Sequence, residues 1–187
     1  MSFSLKAPQA TAPPQVALFS ALSAVLSQIA IPISLVPVVL TQIAVLTGAG
    51  LLGWRRGILS QVVYVALGAA GLPVFAGFRS GIGVLLGPTG GFIAGYMLSA
   101  LVVGLLVERS SNSAPCNRWA LFLIMLLGAL VVYVPGIPWL MHVTGIGLRE
   151  AVTAYVLPFL LGDGVKAAVS AVLVGRLRRH LRWGCWE

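Results

Sequence analysis

Charged residues in this chain are almost confined to short breaks between long apolar runs, a pattern that predicts helices crossing a membrane. No Asp, Glu, Lys, Arg or His occurs from 7 to 54, and further charge-free runs cover 57–78, 80–107 and 119–141. A soluble fold of this size could not leave so long a run uncharged, and each run reaches the roughly 20 residues of a spanning helix. Spans are expected at 16–31, 38–52, 58–72, 91–107 and 119–134, with a sixth starting near Pro158. Their limits come from the Pro-punctuated connector 31–37, the basic turn Trp54-Arg55-Arg56 and the stop Pro135-Gly136-Ile137-Pro138. The segment 108–118 is the one plainly hydrophilic loop, and 148–156 predicts a short amphipathic stretch at the interface. The expected organisation is an N-terminal tail 1–15, a single six-helix transmembrane domain 16–180 and a tail 181–187.

The stretch 71–96 breaks this rhythm. It holds eight glycines and two prolines among apolar and aromatic residues, with Arg79 as its one charge. That predicts a non-helical loop that exposes its backbone and enters a helix near Gly90 and Gly91. A solvated linker is richer in polar residues, so this backbone packs on protein or lines a cavity at membrane depth, as a ligand lid would. Gly91-x-x-x-Gly95 then offers a close helix contact.

Composition makes the class firm: 59% of the 187 residues are hydrophobic and 9% charged, far from the roughly 25% charged of soluble domains. This is an all-α integral membrane protein in a lipid bilayer. A net charge of +8 would suit nucleic acid, but the basic residues sit at the ends of apolar runs and form no face, which argues against that partner. With the N-terminus inside, Lys6, Arg55, Arg56, Arg109, Arg118, Arg176, Arg178, Arg179 and Arg182 share one side, against Arg79 and Arg149 on the other. Nine against two is a positive-inside asymmetry that puts both termini on the cytoplasmic side of the membrane. The tail Arg178 to Trp186 reads as an anchor to anionic lipid, or as a docking site for a cytoplasmic partner.

Several chemistries find no support. Cys116 and Cys185 lie on the cytoplasmic side without metal spacing and are expected as free thiols, and His142 and His180 are isolated. Gly87-Pro-Thr-Gly-Gly91 lacks the Lys-Ser/Thr ending of a phosphate loop, and no Walker sequence occurs. No metal, cofactor or catalytic residue is expected.

The sixth span carries the sharpest chemistry. Asp163 lies thirteen residue steps before Arg176, or about 20 Å of helix, which puts it in the outer half of a core about 30 Å thick. Lys166, three residues on, shares its helix face, and both turn into the bundle because a charge facing lipid costs several kcal/mol. The pair is either a structural lock or an acceptor and donor offered to a small ligand, and the second is the default for ionisable groups at this depth. Gly162 and Gly164 would let a ligand approach. On the first span Ala17, Ala21 and Ala24, and Ser20, Ser23 and Ser27, form small-residue stripes suited to close helix packing, internal or with a partner. Thr41, Gln42 and Thr47 on the second span are helix glue or ligand contacts.

The sequences GLPVFAG and GVLLGPTGGF within 71–96 closely resemble the signature of the BioY family, the biotin-specific S-components of energy-coupling factor (ECF) transporters. The resemblance extends to SQIAIPISLVPVVLTQIAV, to 57–64 and to LPFLLGDGVKAA, and so covers most of the chain. It implies a six-helix ECF S-component bundle that binds biotin from the outer face. Asp163 and Lys166 fall on the Asp and Lys of the final family motif, where Leu161 replaces a usual Pro. Val39 replaces a usual Thr, Thr41 and Gln42 stand exchanged, and Arg79 falls where small or polar residues are common.

For biotin, Asp163 suits the ureido N–H donors and Lys166 the carboxylate. Phe75, Gly77, Arg79 and Tyr96 cover the ligand, with Gln42 a further contact. The family implies a transmembrane coupling protein, met through Ala17, Ala21 and Ala24, and two ABC-type ATPase subunits that hydrolyse ATP. An S-component for another vitamin, such as thiamine or riboflavin, or a non-transport membrane protein, is the alternative.

Overall fold

In the computed structural model, residues 12–31, 36–113 and 118–181 are described, and almost all of them lie in helices. Cys116, Cys185, Lys6 and Arg182 lie outside these residues, as do most of both expected tails. The elements are α1 (Ala12–Ser27), β1 (Ala30–Ile31), β2 (Val38–Val39), α2 (Thr41–Ala69), α3 (Ile82–Leu86), α4 (Gly90–Ser113), α5 (Arg118–Val131), α6 (Tyr133–Thr144), α7 (Leu148–Tyr155) and α8 (Leu157–Leu181). Three helical stretches, Gly90–Ser110, Arg118–Thr144 and Leu157–Arg178, are long and apolar enough to cross a bilayer. Leu123, Leu127 and Val134 on the second, and Leu161, Val165 and Val172 on the third, expose apolar side chains. An outward apolar face is what lipid contact requires, since tails solvate it as well as a core would.

Helix α2 folds back on itself. Gly53 breaks it with φ 80° and ψ 177°, a conformation open essentially to glycine alone. A Cβ on Gly57 would lie 3.0 Å from the Cα of Ala49, whereas eight residues of straight helix span about 12 Å. The halves 41–52 and 54–69 therefore pack against each other, with the expected basic turn just beyond the break. Both new helix ends are compensated. The carboxylate of Glu108 accepts the backbone N–H of Trp54 at 3.1 Å, an anion at a helix N-terminus, and the Arg178 guanidinium donates to the Gly50 carbonyl at 3.1 Å, a cation at a C-terminus. Gly104 of α4 lies against this turn so closely that a Cβ there would enter the backbone of Trp54.

The core forms where α2 meets α1 and α4, and where α8 closes on α5 and α2. Leu46, Leu52, Val103, Val107, Met125 and Val174 are completely or almost completely buried in it. The expected glycine pair on α4 is used: Cβ atoms on Gly91 and Gly95 would strike Trp139 and the Val132 carbonyl of the α5–α6 junction.

Several boundaries differ from expectation: α4 runs on through 108–113 of the expected hydrophilic loop, and α1 covers Ala12–Ser27 where 16–31 was expected. The run Pro135-Gly136-Ile137-Pro138 does not end the fifth span; the helical bonding is interrupted at Val132, whose backbone stays α-helical with φ −59° and ψ −30°, and the helix resumes to Thr144. Pro135 falls in the first turn of α6, where an N–H would have no intrahelical acceptor, so it starts a helix instead of stopping one. The Gly-rich stretch is not wholly irregular either, because it contains the single turn α3 before α4 begins at Gly90. The connector after α1 adds a short antiparallel pairing, Ala30 with Val39 and Ile31 with Val38. The short helix at 148–155 and the start of α8 at Leu157 agree with the sequence pattern.

Candidate ligand site

Asp163 and Lys166 share the inward face of α8, as three-residue spacing dictates, and both are buried. Lys166 Nζ lies 3.1 Å from Asp163 Oδ1 and 3.3 Å from Gln42 Oε1, while Gln42 Nε2 donates to the Ala129 carbonyl at 3.2 Å. The Tyr133 hydroxyl donates to Asp163 Oδ2 at 2.5 Å. Each carboxylate oxygen thus has a donor, which is the condition under which an ion pair survives burial. Three elements contribute: α2 gives Gln42, α6 gives Tyr133 and α8 gives the pair. The set lines an inner chamber of about 50 Å³ with Phe92, Tyr96 and Phe159.

An outer chamber of about 330 Å³ shares Val36, Pro37, Val39, Phe92 and Tyr96 with the inner one as common walls. The remaining lining comes from Ser27 and Ala30 at and beyond the end of α1, from Thr41 and Tyr64 of α2, from Phe75, Ala76, Gly77 and Arg79 of the Gly-rich stretch, and from Val84, Thr89 and Ile93 further along it. Thr41 Oγ1 is buried without a hydrogen-bond partner among the described residues. Of the residues expected to touch a ligand, Asp163, Lys166 and Gln42 line the inner chamber, Phe75, Gly77 and Arg79 the outer one, and Tyr96 both. Gly162 and Gly164 line neither, and each has open space where a Cβ would stand.

The stretch 71–81 closes over the outer chamber and is pinned from two sides. Phe75 is its plug, buried against Tyr64 with ring centroids 5.6 Å apart at 90° and seated where a Cβ on Gly68 would have to go. Its N–H donates to the Arg79 carbonyl at 3.0 Å. From the other side, the end of α1 holds the strip through side chains. The Ser27 hydroxyl lies 2.5 Å from the Val74 carbonyl, Gln28 Nε2 lies 3.2 Å from the Phe75 carbonyl, and Phe78 donates its N–H to Gln28 Oε1 at 2.9 Å. Phe78 adopts φ 57°, sparsely populated by side chains other than glycine, so these bonds hold a conformation the chain would not choose alone.

Sequence reasoning missed Gln28, Tyr133 and Tyr64. Gln28 and Tyr133 are polar groups at helix ends in apolar surroundings, and their signal is no stronger than that of ordinary helix glue. The two stripes of α1 separate by face: Ser20, Ser23 and Ser27 are buried against α2 and the lid, while Ala17 and Ala21 are exposed and Ala24 is half-buried.

Taken together, these features define an apolar helical membrane protein that encloses a two-chambered cavity with an ion pair inside and a glycine-rich lid above. The pattern of the BioY family matches residues 6–183. A probable biotin transporter BioY of Pyrococcus horikoshii is 39% identical over 163 residues, covering 87% of this chain and 93% of that protein. The biotin transporter BioY of Thermotoga maritima is 37% identical over 162 residues, covering 87% and 92%. In three dimensions the chain superimposes on the crystal structure of an S-component for biotin from an ECF-type ABC transporter with a TM-score of 0.83, at 29% identity, covering 90% of this chain and 91% of that one. The chain belongs to the BioY family.

Proposed function

We propose that this protein is the biotin-binding S-component of an ECF transporter and mediates biotin uptake. The observation that carries the reading is the cavity itself: in a BioY-family chain, a net-neutral polar cluster of Asp163, Lys166, Tyr133 and Gln42 lines an otherwise apolar inner chamber that shares walls with a lidded outer one. Biotin has a ureido ring with two N–H donors and one carbonyl, an apolar bicyclic body and a valerate chain. Asp163 accepts from the ureido N–H groups, and the Lys166 ammonium, with a donor to spare, is placed to meet the ureido oxygen, while the Tyr133 hydroxyl donates to Asp163 and holds it in place. Phe75, Phe92 and Tyr96 cover the apolar body, and Gly77 and Arg79 close the outer end.

Six spans follow if the halves 41–52 and 54–69 of α2 each cross, if α5 and α6 cross as one, and if α1, α4 and α8 supply the rest. Glu108, Arg178 and the basic turn meet at one end, consistent with that end and both termini being cytoplasmic. Energy for uptake would come from partners, a coupling protein and two ABC-type ATPases, with the exposed Ala17–Ala21 side of α1 as the contact face.

Equilibrium binding of biotin to the purified protein in detergent, with thiamine and riboflavin as competitors, tests the reading. Tight biotin binding that neither competitor displaces is expected; folded protein that ignores biotin would sink the assignment and leave the family likeness to the scaffold alone. Displacement by thiamine or riboflavin would favour an S-component for another vitamin.

A kinetic prediction follows from the lid. Gln28→Ala removes the side-chain contacts to Phe75 and Phe78, each bond worth about 0.5–1.5 kcal/mol. Biotin release measured by stopped flow is expected to accelerate about tenfold, with entry accelerating too and the equilibrium constant changing less. An unchanged release rate would detach Gln28 from the gate.

A further inference from the structure

The outer chamber and the inner chamber differ in charge. Asp163 and Lys166 neutralise each other across 3.1 Å, and Lys166 is also engaged by Gln42. An anion brought to the Lys166 ammonium would stand beside the Asp163 carboxylate as well, and at close range in a low-dielectric site that repulsion offsets the attraction. The inner chamber therefore suits a neutral polar group. Among the described residues lining the outer chamber, Arg79 is the one that carries charge, and it has no ion-pair partner among the described residues. Its backbone is fixed, because the Arg79 carbonyl accepts the Phe75 N–H and Phe75 is buried against Tyr64. Its side chain is exposed and long enough to swing over the rim.

We propose that Arg79, and not Lys166, meets the carboxylate of the ligand, so that the ligand lies with its neutral head inside and its anionic end at the lid. The inference rests on the biotin reading above and adds to it a specificity: the protein selects free biotin over forms whose carboxylate is capped. Arg79 suits this role because a guanidinium pairs a carboxylate through two parallel N–H bonds, and because a charge at the rim loses little hydration in doing so. The residues that hold the ureido ring contribute equally to binding of the free acid and of the capped form. Discrimination between the two belongs to the rim.

The experiment compares biotin with biotin primary amide, binding each to the purified full-length wild type, Arg79→Gln and Arg79→Lys in detergent at low and high salt. Wild type is expected to prefer the acid by about tenfold, the scale of one charge-assisted bond. Arg79→Gln should bind acid and amide about equally, with the larger loss falling on the acid, and Arg79→Lys should keep most of the preference. Because the pair is exposed, the wild-type preference should shrink as salt rises. An unfolding midpoint in detergent equal to wild type shows that the Gln variant is folded. A wild-type preference that survives in Arg79→Gln would overturn the assignment of Arg79 while leaving the biotin reading intact. Loss of both ligands in both variants would show a structural role and overturn it likewise. Wild-type protein that binds neither compound would overturn the biotin reading and this inference with it.

Discussion

Asp163→Asn is expected to weaken biotin binding by about a hundredfold or more. The change removes the anionic acceptor for the ureido N–H groups, and hydrogen bonds to charged groups contribute about 1.5–3 kcal/mol each. It also leaves the buried Lys166 ammonium with neutral amide oxygens in place of its counter-charge. Breaking a buried pair from one side costs about 3–5 kcal/mol, so some loss of thermal stability is expected alongside the lost affinity. The double variant Asp163→Asn/Lys166→Met separates the two effects. It removes both charges, so the midpoint of thermal unfolding in detergent should return towards wild type while biotin affinity stays low. Recovery of binding in the double variant would instead make the pair a structural lock and move ligand recognition elsewhere.

The second large effect is expected at a residue that touches no ligand. A Cβ on Gly104 would lie 2.8 Å from the Gly53 carbonyl carbon and closer still to the N and Cα of Trp54. These are backbone atoms of a turn already fixed by Glu108, so no side chain can swing aside. Gly104→Val should therefore force α4 away from the fold-back of α2 and destabilise the protein by about 3 kcal/mol or more, at or above the upper range of ordinary overpacking. Purified yield and the unfolding midpoint in detergent would both fall. Gly162→Ala is the matched control. Nothing lies within 4 Å of its Cβ, and removing glycine from a helix is worth up to ~1 kcal/mol, so stability should hold or rise. A Gly104 variant as stable as that control would refute the close packing described here.

Charge placement was the most legible feature of the sequence, because an ionisable group in an apolar run has few places to go. Asp163 and Lys166 had to face inward, and the structure turns them there. The glycine-rich stretch was legible for the same kind of reason: that much glycine near an apolar core suits neither a span nor a solvated loop. The partners of the pair were not legible. Tyr133 stands beside Asp163 because the helical stretch runs on past Val132 and through two prolines, and proline carries the same local signal whether it opens a helix or closes one. The fold-back at Gly53 announced itself through its basic turn, but the glycine that permits it is one of 22 in the chain. Only Glu108 and Gly104, fifty residues further on, show why that one matters.

The helix that ends in Ser27 and Gln28 also presents Ala17 and Ala21 on its outer side, and neither alanine lines the cavity. A helix is stiff over this length, so a tilt applied at one end is delivered at the other. Any body that grips the outer side of α1 and shifts its far end changes the free energy of keeping the lid shut. Thermodynamic reciprocity then requires the trapped ligand to alter that body's affinity by the same factor. Such a body would tell empty protein from loaded at a distance, through a serine and a glutamine.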